Sequence, residues 1–216
     1  DRIAIQLPNL LQYPVAVMGA LRAGLVVVNT NPLYTTEETI EQFNGAGVTA
    51  VIILANSAHM LEDVLPATDV HTVIVTQMAD LHPLPRRLLI NCMARYIRKI
   101  VPRYKLSGAI SFRYALKRGS RLTLKKRPFS PETTALIQYT VGTMGTPKAA
   151  QLSHRNLIAN ALQVRSRLTE ICRENEEIAI APLPLYHIYS FTLNLLVLPA
   201  FGAQIVLITN PRDTNG

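Results

Sequence analysis

The feature that most constrains this chain is a series of short apolar runs, rich in β-branched residues, that recur between helix signals. Residues 25–29 and 48–54 are apolar almost without interruption, and 71–76 centre on Val73, Ile74 and Val75. A strand that is apolar at every position must be covered on both faces. Where such strands alternate with helices, that means a parallel sheet between two helical layers. The segments between carry their own punctuation. Residues 9–23 read as a helix closed by Gly24, with Pro14 tolerated in its first turn. Thr35 and Glu38 have the spacing of a capping box, opening a helix that ends near Gly45 and Gly47. A further helix lies around residues 57–65. After Pro131 the rhythm resumes, with a strand over 134–140, a helix over 156–168, and strands over 177–181 and 203–209. The expected fold class is α/β, a mostly parallel sheet with helices on both faces.

Composition narrows the class further. Of 216 residues, 49% are hydrophobic and only 17% charged, which excludes a disordered chain. No uninterrupted apolar run approaches the ~18 residues of a membrane-spanning helix. The chain begins Asp1-Arg2-Ile3 and runs directly into strand-like sequence, without the pattern of a signal peptide. Cys92 and Cys172 stand alone and far apart, so two reduced thiols are expected rather than a disulfide or zinc framework.

The net charge of +8 has a single source. Residues 81–130 hold fourteen Lys or Arg and no Asp or Glu, leaving eight basic and fourteen acidic residues for the rest of the chain. From about residue 77 to 129 the strand–helix alternation is expected to fail, as in an insertion. Within it, residues 86–104 read as an amphipathic helix ended by Pro102, with Leu89, Cys92, Met93, Tyr96, Ile97 and Ile100 at helical spacing. Arg87, Arg95, Arg98 and Lys99 fall mostly elsewhere on the wheel. Nucleic acid is not the expected partner, because no aromatic platform or reading helix accompanies the charge. An anionic membrane surface fits best. The bland alternatives are a solvated face, or a stripe packed on the core.

Two motifs carry chemistry. Gln138-Tyr139-Thr140-Val141-Gly142-Thr143-Met144-Gly145-Thr146-Pro147-Lys148 follows a predicted strand. Gly142 and Gly145 permit close backbone approach, Thr140, Thr143 and Thr146 offer hydroxyls, and Lys148 brings a mobile cation; together they suit a polyphosphate. Pro147 before Lys148 and Ala149 after it exclude a P-loop of the G-x-x-x-x-G-K-[ST] kind. On composition and placement alone, an ordinary loop remains the alternative. Pro182-Leu183-Pro184-Leu185-Tyr186-His187 follows another predicted strand, and a lone His there is ordinarily a core or surface residue. No serine nucleophile elbow is present.

Residues 139–156, YTVGTMGTPKAAQLSHRN, resemble the signature loop of adenylate-forming enzymes, the superfamily of acyl-CoA synthetases, luciferases and peptide-synthetase adenylation domains. VVVNTNPLY at 26–34, LPLYH at 183–187 and ITNPRD at 208–213 are similar to bacterial long-chain fatty acid–CoA ligases, and the similarity spans the whole chain. The resemblance implies a two-step reaction. A fatty acid carboxylate attacks ATP with Mg²⁺ present, and coenzyme A then displaces AMP from the acyl-adenylate.

It also implies roles by position. Thr140 meets Mg²⁺, while Thr143, Gly145 and Lys148 contact phosphate. Gly142 and Thr146 complete the loop, and Tyr139 packs beneath it. His187 lies beside the reacting carboxylate. His154 and Arg155 are read as the start of a helix with solvated charges. Three positions depart from the family pattern: Val141 and Met144, where small or hydroxyl residues are usual, and Ala149, where glycine is usual. The implied organisation is a partial N-terminal AMP-binding domain over 1–216, with 77–130 insertion-like, the C-terminal domain absent and the piece inactive alone. The implied location is the cytoplasm, peripheral on the cytoplasmic face of the inner membrane. The alternative is a non-catalytic membrane- or partner-binding module derived from the same family.

Overall fold

The computed structural model describes residues 1–124, 130–141 and 147–209. Its centre is a seven-stranded sheet in the order β5-β4-β3-β1-β2-β6-β7. The strands are β1 (Arg2–Gln6), β2 (Val26–Asn29), β3 (Ala50–Leu54), β4 (Thr72–Thr76), β5 (Ile110–Ser111), β6 (Thr134–Val141) and β7 (Pro147–Ser153). All neighbours are parallel except β6 and β7, which pair antiparallel. Continuous apolar sequence becomes two cores by simple alternation. Ile3, Ile5, Val27, Ile52, Leu54 and Leu136 face one cluster; Ala4, Val28, Val51, Ile53, Val73 and Ile137 face the other.

Helix α1 (Gln12–Arg22) covers the first face with Tyr13, Ala16, Val17 and Ala20, and Gly24 follows with φ of 77°. Helix α2 (Thr36–Ala46) covers the second with Phe43 and Ala46. Its capping box is complete: the Glu38 amide donates to Thr35 Oγ1 at 3.2 Å and the Thr35 amide donates to Glu38 Oε2 at 2.8 Å. Gly47, at φ of 61°, ends it in the left-handed region. A short helix α3 (Leu61–Val64), flanked by 3₁₀ turns, packs Leu61 and Val64 on the same face.

The basic segment departs from expectation in two ways. Helix α4 (Leu84–Cys92) and a π turn (Met93–Ile97) end well before Pro102. Lys99 takes φ of 50°, a left-handed conformation that stops the helix without help from proline. The alternation also does not fail: α4 is the crossover between β4 and the short parallel strand β5, which is followed by α5 (Phe112–Gly119). The segment therefore extends the sheet. Its apolar stripe does not pack on the core, for Leu89 is 61% exposed, Tyr96 70% and Ile97 72%. Ala94, beneath them, is the buried residue.

Helix α6 (His154–Leu168) begins two residues before its expected start, because Ser153 and Asn156 form a second capping box. Arg155 pairs with Glu132 on the surface. Strands β8 (Ile178–Ala181) and β9 (Gln204–Leu207) form a separate parallel pair. The chain between them includes helix α7 (Ile188–Ser190), a π turn (Phe191–Val197) and helix α8 (Leu198–Ala200). Pro199 lacks the amide that would bond back to Leu195 in an α-helix. Phe191 and Leu195 anchor this run in the first core.

Candidate active site

A cleft of about 400 Å³ opens at the carboxyl ends of β2 and β6, lined by Asn29, Asn31, Tyr34, Gln138, Tyr139, Thr140, Tyr186, His187 and Ile188. Ligands of open parallel sheets bind outside the carboxyl ends of the strands. Three predicted residues meet here: Tyr139 and Thr140 from the last turns of β6, and His187 from the loop after β8. Lys148 lies on β7 directly opposite Thr140, and both are exposed. The Thr140 hydroxyl donates to the Lys148 carbonyl at a long 3.5 Å, a weak bond that a better acceptor would displace. Gly142, Thr143, Gly145 and Thr146, together with Met144, lie outside the described residues. So do the last four residues of the 208–213 motif.

Buried amides hold the floor of the cleft. The Tyr13 hydroxyl donates to Asn29 Oδ1 at 2.6 Å, and Asn29 Nδ2 donates to Gln138 Oε1 at 3.0 Å. Gln138 Nε2 donates to the Tyr139 carbonyl at 3.3 Å, and Gln42 Nε2 donates to the Asn29 carbonyl at 3.1 Å. Burial, with Tyr186 adding to it, pushes the Tyr13 hydroxyl well above the ordinary phenol range, so it stays a neutral donor. The Tyr139 hydroxyl reaches the Gln42 carbonyl at 3.4 Å, and its titration is also raised, first by burial and then by Glu41 and Tyr34. Gly45 allows this placement: a Cβ there would stand 3.1 Å from the Tyr139 oxygen.

The His187 loop is held by a residue from the other end of the chain. Asn9 Nδ2 donates to the carbonyls of Ala181 at 3.0 Å and Leu183 at 2.9 Å, while its Oδ1 accepts from the Leu185 amide at 2.8 Å. Ser190 Oγ also donates to the Leu183 carbonyl, at 2.9 Å. Sequence reasoning placed Asn9 inside a helix and missed this clamp. It likewise passed over Asn29 and Gln138, although a polar amide at the end of an apolar strand is the signal that finds them. His187 caps α7, its Nδ1 accepting the Tyr189 amide at 3.4 Å. In the neutral ring that leaves the proton on Nε2, as a donor.

The donor set fits a nucleotide's phosphates: an exposed lysine, a threonine hydroxyl across the strand pair, and an imidazole N–H on the facing loop. No carboxylate lines the cleft among the described residues, and no group of three or more His, Cys, Asp or Glu among them could hold a metal ion. The predicted metal contact, Thr140, stands at the cleft with one hydroxyl to offer.

Known proteins share both the sequence and the fold. A long-chain-fatty-acid–CoA ligase of Escherichia coli O157:H7 is 47% identical over 216 residues, covering 100% of this chain and 38% of its own length. The Yersinia pestis protein of the same name is 43% identical with the same coverage. The chain therefore spans little more than a third of the curated relatives it matches. Among solved structures, apo MbtA of Mycobacterium smegmatis superposes with a TM-score of 0.75 at 22% identity, over 98% of this chain and 34% of the other. A long-chain-fatty-acid-CoA ligase, FadD1, of Archaeoglobus fulgidus gives 0.67 at 21%, over 96% and 35%. These two likenesses establish the mostly parallel sheet with flanking helices. The profile described as AMP-binding enzyme matches residues 1–215, and the chain belongs to that family.

Proposed function

We propose that this chain is the N-terminal part of an ATP-dependent long-chain fatty acid–CoA ligase, and that the cleft at β2 and β6 is the phosphate and carboxylate side of its adenylation site. The observation that carries the reading is that Thr140 and His187, 47 residues apart in sequence, line one cleft, with Lys148 directly opposite Thr140 on β7. Lys148 and the Thr140 hydroxyl hold the polyphosphate by charge-assisted bonds. Mg²⁺, when bound, offsets phosphate charge; Thr140 supplies its one protein oxygen here. His187 Nε2–H donates to an oxygen of the carboxylate or the α-phosphate as charge shifts between them. Tyr139 and Gln138 set the position of Thr140 from below. Coenzyme A is the acceptor in the second step.

The test is ATP–pyrophosphate exchange with a long-chain fatty acid and Mg²⁺. In the longer protein carrying this chain, His187→Ala and Lys148→Ala should each lower exchange by about 100-fold, the loss typical of an electrostatic stabiliser. The 216-residue chain alone should show only background. Undiminished exchange in both variants would remove the cleft from the chemistry.

A second reading concerns residues 81–130, which we propose dock on an anionic membrane surface. Among the described residues none of the ion pairs involves this segment, and Leu84, Leu89, Tyr96 and Ile97 are each more than half exposed. No described helix is long and apolar enough to cross a membrane. Each cation near an anionic surface contributes about 1 kcal/mol, and salt screens it. Cosedimentation with vesicles should show binding to anionic but not neutral lipid, lost in Arg95→Glu/Arg98→Glu/Lys99→Glu. Equal binding to neutral vesicles, or retention by the triple variant, would make the segment a solvated face.

A further inference from the structure

A second cleft, of about 640 Å³, lies at the carboxyl ends of β4 and the edge strand β5, beneath α4 and its π turn. Three guanidinium groups converge on it from three elements: Arg87 from α4, Arg95 from the π turn and Arg113 from α5. Its one carboxylate, Asp80, is buried and turned to local use. Asp80 Oδ2 accepts from Thr76 Oγ1 at 3.0 Å and from the Gln77 amide at 2.9 Å. Arg113 bonds not to that carboxylate but to the Asp80 backbone carbonyl, at 3.1 Å. Arg87 and Arg95 have no ion-pair partner among the described residues. The cleft thus holds three guanidinium groups against one carboxylate, and none of the three forms an ion pair with it.

Apart from Gln77, Asn91 and Ser111, the rest of the wall is mostly apolar. Leu88, Leu106 and Ile110 and the rings of Tyr96 and Tyr104 line it. Leu88 and Tyr96 are also 56% and 70% exposed, so the cleft opens onto the apolar face of α4 and the π turn. A small inorganic anion would satisfy the guanidinium groups and leave this wall wet. A neutral lipid would cover the wall and strand the charge. The volume lies within the range of pockets that bury most of a small organic ligand.

We propose that this cleft binds a single-chain amphiphile with an anionic head, the head gripped by the planar guanidinium forks of Arg87 and Arg95 and the alkyl chain laid along Leu88, Tyr96 and Leu106. The head is a carboxylate or a phosphate, either of which the fork geometry accepts through paired hydrogen bonds. The site is separate from the cleft at β2 and β6, and the inference rests on its geometry alone, independent of the ligase reading.

Equilibrium dialysis of the 216-residue chain against submicellar dodecanoate, dodecyl phosphate, dodecanol and inorganic phosphate tests it. Saturable one-to-one binding of dodecanoate or dodecyl phosphate is expected, and whichever binds tighter identifies the head. Dodecanol and inorganic phosphate should each bind at least about tenfold more weakly, since each lacks one half of the recognition. Arg87→Gln/Arg95→Gln should lose about tenfold or more, while Arg87→Lys/Arg95→Lys keeps the charge but not the paired bonds and should fall between the glutamine pair and the parent. Arg22→Gln/Arg167→Gln, exposed on α1 and α6 and outside both clefts, should bind as the parent does. Circular dichroism confirms that each variant is folded; if the glutamine pair is not, Leu106→Gln, which spoils the apolar wall, takes its place. No saturable binding, equal binding of dodecanol, equal binding of inorganic phosphate, or a loss in the Arg22/Arg167 variant as large as in the Arg87/Arg95 variant would each overturn the proposal.

Discussion

The clefts at β2/β6 and at β4/β5 lie at the carboxyl ends of strands in one parallel sheet, and they are built by opposite means. The first is a frame of uncharged amides and a buried phenol. Its bonds join residues 109 apart at Asn29 and Gln138, and more than 170 apart at Asn9 and the loop of His187. Asn9, Tyr13, Asn29 and Gln138 are each buried and hydrogen-bonded, so the frame is stiff before any ligand arrives. The second cleft is lined by long cationic side chains on the exposed crossover between β4 and β5, with few internal bonds among the described residues. Its charges keep their water until something displaces it. A preorganised frame suits chemistry, where donors must already stand in place as charge develops. An adaptable cationic cleft suits recognition of a flexible ligand.

This contrast can be broken by stability measurements. The largest difference is expected between Asn9→Ala and Arg95→Ala in urea unfolding. Asn9→Ala leaves two carbonyls and one amide of the His187 loop without their partner and should cost about 3 kcal/mol. Arg95→Ala removes an exposed, unpaired charge and should stay within about 0.5 kcal/mol of the parent. Comparable losses in the two would mean that the frame is no more preorganised than the arginine cleft.

Tyr13→Phe sharpens the same point with a smaller effect, about 1 kcal/mol at neutral pH from the lost bond to Asn29. Burial raises the Tyr13 pKa above its ordinary 10.0, so the folded state holds its proton more tightly than the unfolded chain. Stability from this group is therefore intact below pH 10 and lost as pH rises beyond it. Thermal melting should show the parent losing stability above pH 10 more steeply than Tyr13→Phe. Residual alkaline loss in the variant is assigned to Tyr34 and Tyr139, whose pKa values are also raised by partial burial. Identical alkaline slopes would show that the Tyr13 hydroxyl is not sealed from water.

Most of the sheet was legible because its signals are local. Valine and isoleucine runs marked β2, β3 and β4, and the Thr35–Glu38 spacing marked the start of α2. Strands β5 and β7 were not legible. Two residues of strand carry no periodicity, and Lys148 read as loop because a Gly/Thr-rich stretch precedes it. The end of the helix at Ile97 was misplaced for a similar reason: proline is a visible stop, whereas a lysine at positive φ is not.

What the sequence determined by itself is the α/β class and the family, and it singled out Thr140, Lys148 and His187 as candidates for phosphate and imidazole chemistry, since backbone propensity and motif spacing are properties of short stretches. Only the tertiary structure decided that Asn9 clamps the His187 loop, that Asn29 and Gln138 bridge β2 and β6, and that the stripe on α4 faces out rather than in. An amide has no sequence period and bonds to whatever the fold brings near it. An amphipathic stripe fixes which residues lie together but not which way they point. Both are settled only when every buried donor and acceptor must find a partner at once.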